Sequence, residues 1–188
     1  MDFQDVVRRR RMVRVFTPGP VPQRSLDRIL ANSVRGPSAG FCQGQAFLVL
    51  TGDDLPRFWA IAGEATRPAV HTAPLIIIPL SCQRIYIDQY VRRDPSWADP
   101  SRWPMPWWHL DTAMAALLML LTAVDEGLAA IFFGIVDHET RALRAEFGIP
   151  DDHQPIGAIA IGHDAETERA DLASRRRPLA EMIHYGQW

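Results

Sequence analysis

The sequence predicts a layered α+β domain, with one sheet held between helices. Three observations carry this reading. Four short apolar runs read as strands, longer segments between them place apolar residues at helical spacing, and no repeat or low-complexity linker divides the chain. At 188 residues and 47% hydrophobic content, the chain is long enough for one well-buried domain, residues 1–188, and short for two.

The elements follow in order. The stretch DFQDVVRRR is helix-like, and Pro18 to Pro22 breaks it. Ser25 to Val34 carries Leu26, Ile29, Leu30 and Val34 on one helical face. The run AFLVLT (46–51) is a buried strand that ends at Gly52-Asp53-Asp54, where a helix starts. PLIIIPL (74–80) is a second strand, with its prolines read as marking the ends. From Gln83 to Trp108 periodicity lapses, and RRDPSWADPSRWPMPWW reads as a long aromatic excursion that lines a pocket or an interface. Helix resumes from His109 to Glu126, followed by a strand at 128–133, a helix at HETRALRAEFG and a strand at IGAIAIG. Within the long helix, AMAALLMLLTAV is apolar on all sides for about a dozen residues, short of the roughly 20 that span a bilayer. It is expected to be a core helix or a subunit interface.

A net charge of -2 excludes a protein built chiefly to coat nucleic acid or an anionic membrane. Cys42 and Cys82 form no metal-type pair, the six histidines are scattered, and no spacing supports a metal site. With no secretory leader ahead of the first helix, a cytoplasmic setting is expected.

Positive charge gathers at Arg8–Arg14 and again at Arg175–Arg177. Arginine's planar fork suits phosphate oxygens, although either cluster taken singly reads equally as a solvated surface. The standard nucleotide-binding, metalloprotease and serine-hydrolase motifs are missing. Phosphate handles without an acid-base or nucleophile motif point to a phosphorylated cofactor that carries the reaction.

Four stretches in order, RRMVRVF (10–16), GPSAGFCQ (36–43), GLAAIFFG (127–134) and RRRP (175–178), resemble the FMN-dependent nitroreductases. The resemblance implies a three-layer fold with a mixed, mainly antiparallel sheet flanked by helices, formed as an intertwined homodimer. It implies FMN at the subunit interface and NADH or NADPH as co-substrate. By the same resemblance, Arg10, Arg11, Met12 and Arg14 match the phosphate and ribityl contacts, and Arg175 and Arg177 the late pair that closes on the phosphate. Pro37, Ser38, Ala39, Gly40 and Gln43 match the turn that reaches the flavin from the other subunit. Phe132, Phe133 and Gly134 match the backbone beside the reactive flavin nitrogen, so no catalytic side chain is required.

The implied activity is ping-pong electron transfer to a nitroaromatic or quinone. Phe41, Trp107, Trp108 and His109 are the expected acceptor pocket, the 83–108 excursion its cover, and residues 178–188 a tail packed on the partner subunit. The turn departs from the family at Phe41, and its Gly-Phe-x-Gln form also resembles a flavin-fragmenting branch that consumes reduced FMN and oxygen. A flavin-binding protein without turnover is the remaining alternative.

Overall fold

The structure is a computed structural model that describes residues 1–168, 171–172 and 174–188. Its helices are α1 (Phe3–Arg9), α2 (Gln23–Ser33), α3 (Asp54–Trp59), α4 (Gln83–Val91), α5 (Trp107–Asp125) and α6 (Asp137–Phe147). Its strands are β1 (Phe16–Thr17), β2 (Gln45–Thr51), β3 (Leu75–Ser81), β4 (Ala129–Phe133), β5 (Gln154–Pro155) and β6 (Ala158–Asp164).

β3 is buried along its whole length, which is why it reads as an uninterrupted apolar run. It pairs with β2 on one side, from Gln45↔Ser81 to Thr51↔Leu75, and with β5 and β6 on the other. β6 carries β4 on its far side and β1 at its end. These pairings are antiparallel, and a parallel bridge between Met12 and Ala130 lays the N-terminal arginine segment along the outer edge of β4.

Side-chain alternation splits the core into two layers. Leu75 and Ile77 pack with Ile29 of α2 and Met119, Leu120 and Ala123 of α5. Ile76 and Ile78 pack on the opposite face with Phe58 of α3 and Leu143 of α6. The sheet therefore lies between two helical layers, as the sequence pattern predicts.

Three expectations need correction. The supposed excursion at 83–108 begins with helix α4, whose apolar positions lack a clean helical stripe because Tyr86 is wholly buried while the neighbouring residues are mostly half-exposed. Pro79 lies inside β3 rather than at its end. Its carbonyl accepts from Ile156 N–H at 3.1 Å, so its missing donor faces the point where β5 and β6 part at Ile156-Gly157, and no ladder bond is lost. The strands number six among the described residues, because β1 and β5 are only two residues each and carry too little pattern to read.

Helix α5 is 19 residues long and apolar, long enough by that measure to cross a bilayer, yet it is built into the fold against α2 and the sheet. Its outer face carries Trp107, Leu110, Met114 and Leu117 at spacings of three and four, all exposed. The helix is thus half core, with a bare apolar stripe.

Glu139 anchors the opposite layer. Its carboxylate, 2% exposed, accepts from Gly63 N–H at 2.9 Å, Glu64 N–H at 3.0 Å and Val136 N–H at 2.9 Å. Glu139→Ala strips three donors of their acceptor, and urea denaturation should register a loss of about 3 kcal/mol or more.

His71 stacks on Trp59 at 4.0 Å between ring centroids, and burial pushes its pKa down, as it does for His109. The unfolded chain therefore binds protons that these imidazoles resist, so their contribution is present above the unfolded value of about 6.5 and is lost as pH falls below it. The urea midpoint should drop between pH 7.5 and 5.5, and less so in His71→Gln.

Candidate functional site

At the C-terminal end of α5, an open cavity of about 610 Å³ is lined by Arg8, Arg9, Arg11, Val124, Ala129 and Asp164 among others. Arg11 is held by Asp164 and Glu166. Burial opposes its charge, but the hydrogen bonds to Glu166 and Asp164 outweigh this and raise its pKa. Glu166 also accepts from Arg14 N–H at 2.6 Å, and the Arg14 guanidinium donates to the Met12 carbonyl at 3.0 Å. Arg10 carries no ion pair among the described residues, so of Arg10, Arg11 and Arg14 it is the cation least committed to the protein itself.

Met12 reaches from the arginine segment to β4. Its sulfur is the acceptor for Phe132 N–H, at 3.5 Å. A thioether is a weak acceptor, so the outer edge of β4 presents an underused backbone donor beside the arginine segment. Phe133 is buried in the sheet core, and Gly134 follows it at the strand end.

The small turn lies at the other end of α5. Ala39 N–H donates to Asp111 Oδ2 at 2.8 Å, and Tyr86 O–H donates to the same oxygen at 2.8 Å. Asp111 is 3% exposed, and burial, then its bond to Asp111, pushes the Tyr86 pKa up. Gln43 N–H reaches Ser38 Oγ at 3.0 Å, and Gln89 of α4 holds the Gly40 carbonyl at 2.5 Å.

This framework explains the turn's glycines. Gly40 has φ +60°, and a Cβ there would stand 2.8 Å from the Tyr90 ring; one on Gly44 would stand 2.4 Å from the Tyr86 ring. The absence of a side chain at Gly40 is thus required by packing within the chain. Phe41 also has positive φ, +54°, unusual for a bulky residue, and the residue is 74% exposed. The chain holds an aromatic side chain outward on a strained backbone, a combination that clusters at binding sites.

The four expected pocket residues part company. Trp107 faces outward on the bare stripe of α5, whereas Trp108 is buried, 6.3 Å from Tyr86 and 5.9 Å from Trp103 between ring centroids. Trp97, Trp103 and Tyr90 complete this cluster at 5.0–5.2 Å, so most of the tryptophan-rich segment packs on itself and on α4. His109, with Nδ1 2.8 Å from Ser81 Oγ, lines with an edge of Trp108 a cavity of about 580 Å³. Arg175 and Arg177 are exposed in the C-terminal segment, where Arg177 pairs with Glu181 at 3.2 Å.

Asp111, Tyr86, Gln89 and Glu166 are the residues that sequence reading missed. A lone aspartate near the start of an apolar helix was the one available signal, because a buried carboxylate demands partners.

The two predicted groups therefore do not meet within one chain. Asp111 and Val124 are 13 residues apart on α5, about 20 Å at 1.5 Å per residue.

The chain is similar to known proteins along its whole length, in sequence and in fold. A protein of Methanothermobacter thermautotrophicus named NADH dehydrogenase/NAD(P)H nitroreductase is 26% identical, over 100% of this chain and 88% of its own length. A nitroreductase family protein of Clostridium difficile superposes with a TM-score of 0.78 at 20% identity, covering 100% of both chains. A protein of Staphylococcus epidermidis whose structure carries the name NAD(P)H:FMN oxidoreductase gives 0.75 at 20% identity, covering 98% of this chain and 95% of its own. The family model described as the Nitroreductase family matches residues 7–163, and the chain belongs to that family.

Proposed function

We propose that the protein is an FMN-dependent oxidoreductase that takes electrons from NADH or NADPH and delivers them, in a ping-pong sequence, to a nitroaromatic or quinone. The observation that carries this reading is the split between the two half-sites. An arginine-lined cavity beside an underused strand-edge donor lies at one end of α5, and a rigid, outward-facing turn lies at the other. The bare stripe of Trp107, Leu110, Met114 and Leu117 runs between them. A second copy packed on that stripe in two-fold fashion can bring the turn of one chain to the arginines of the other.

The residues present fit FMN by the chemistry of their donors. Arg10, Arg14 and the late pair Arg175 and Arg177 supply cations for the phosphate, with Arg11 buttressed by Asp164 and Glu166. Phe132 N–H on the outer edge of β4 is the backbone donor available to the ring system. The Pro37–Gly40 turn, pinned by Asp111, supplies a wall without bulk. FMN bound there would accept a hydride from the nicotinamide and release two electrons to the acceptor.

The side chains act by placement. Asp111 fixes the turn before any ligand arrives, so little ordering is left to do on binding. Phe41 offers an exposed ring for stacking a flat acceptor and brings no hydrogen-bond donor. Trp107 joins it as the outward-facing aromatic, while His109 and Trp108 line the neighbouring cavity. The relatives' names, NAD(P)H nitroreductase and NAD(P)H:FMN oxidoreductase, support the donor and the cofactor. The Gly-Phe-x-Gln form of the turn is what favours the flavin-fragmenting alternative, in which oxygen takes the acceptor's place.

The purified protein should be yellow with FMN, bleach anaerobically with NADH or NADPH, and regain its colour with a nitroaromatic or quinone. Failure to take up FMN would sink the reading. Loss of the flavin on admitting oxygen would place the chain in the fragmenting branch, and FMN held without nicotinamide bleaching would leave only a binding role. Asp111→Asn removes the shared charged acceptor of Ala39 N–H and Tyr86 O–H, and should weaken FMN binding about ten-fold by fluorescence titration.

A further inference from the structure

The cavity that receives His109 lies beside a second group of reactive side chains, which the flavin chemistry does not use. The β3–β5 ladder pairs Leu80 with Pro155 and Ser81 with Gln154. Continued by one residue, this register sets Cys82 opposite His153. Asp152 stands next in the chain, and one potential ligand atom from each of Cys82, Asp152 and His153 lies within 4.8 Å of the other two. Thiol, imidazole and carboxylate are brought together from positions 70 residues apart.

We propose that Cys82, Asp152 and His153 form a binding site for a single zinc ion. The donor types match: thiolate and imidazole suit a borderline-soft ion, and carboxylate completes a three-ligand set with a fourth position left open. The geometry is half-assembled. Asp152 Oδ1 is already 2.7 Å from His153 Nδ1, and Arg84 Nε holds the other carboxylate oxygen at 2.8 Å, which turns Oδ1 toward the imidazole.

Cys82 is fully buried and fixed at the start of α4, whereas Asp152 and His153 are partly exposed on the loop after α6. Zinc–ligand bonds of about 2.0–2.3 Å require the group to contract, with the partly exposed Asp152 and His153 side chains turning toward the buried thiol while Arg144 keeps its hold on the His153 carbonyl at 2.8 Å. Asp152 also lines the cavity of about 580 Å³, together with Ser81, Arg84, Trp108, His109 and Gln154, so an ion would reach the group from the Asp152 side. On binding, the Cys82 thiol loses its proton, the ion replaces any proton shared by Asp152 and His153, and the released protons pass to water. The Arg84 guanidinium opposes a second positive charge, so the site is expected to be moderate in affinity and to exclude hard cations, which gain little from sulfur.

The test uses the FMN-loaded protein, stripped with a chelator and then titrated with zinc. Metal analysis after gel filtration should find about one zinc per chain, and cobalt in its place should give, in a difference spectrum against the metal-free protein, visible d–d bands and a near-ultraviolet thiolate charge-transfer contribution. Cys82→Ser should abolish that contribution. His153→Ala, at a partly exposed position that the fold tolerates more readily, should weaken zinc binding about 100-fold with FMN content unchanged. No zinc in the wild-type protein, or equal binding by His153→Ala, would overturn the site. Should the protein not take up FMN, the same titration on the flavin-free chain still decides the zinc question separately.

Discussion

The candidate site depends on one buried carboxylate. Asp111 projects from the first turns of α5 into a nearly dry environment, where an unpartnered charge would be costly. It is satisfied by the Ala39 backbone and the Tyr86 hydroxyl. Those two bonds tie together three elements that are distant in sequence: the turn at 37–40, helix α4 and helix α5. Since α5 is itself seated on β3 through Met119 and Ala123, the turn inherits the rigidity of the sheet. A loop that would otherwise be among the softer parts of the fold becomes an extension of its core.

Much of this was legible in the sequence, and what was not has identifiable causes. β3 and the helical face of α2 were plain because burial on two faces and on one face leave different periodicities. The turn at 36–43 stood out through its composition. Helix α4 was obscured because its residues answer to several neighbours at once: Tyr86 to Asp111, Gln89 to Gly40, and Tyr90 to the tryptophans. The atoms that would meet a side chain at position 40 belong to Tyr90, in the segment read as irregular. The Cys82, Asp152 and His153 group escaped for a related reason, since ligand-spacing rules look along the chain and this group is built across a strand pair.

Charge is arranged locally rather than globally. The chain is weakly acidic, and the arginine segment is balanced by Asp164 and Glu166 at the end of β6. Both carboxylates engage Arg11, and Glu166 also receives the Arg14 backbone N–H, so they position the cationic segment as well as neutralise part of it. The parallel bridge at Met12 then aligns it with β4. Repulsion among closely spaced arginines, which would disfavour an ordered segment in isolation, is thus offset by partners from the opposite end of the chain.

The turn has an asymmetry of constraint. Positions 40 and 44 are locked by the tyrosines of α4, and position 39 is tethered through its backbone to Asp111. Position 41, between them, has a side chain that is largely exposed. Mutations at the locked positions would be removed by misfolding, whereas exchanges at 41 are filtered mainly by what the site must recognise. Diversification within such a lineage is therefore channelled: the scaffold can stay unchanged while one outward side chain is sampled, and new specificities can arise without a compensating change elsewhere in the fold.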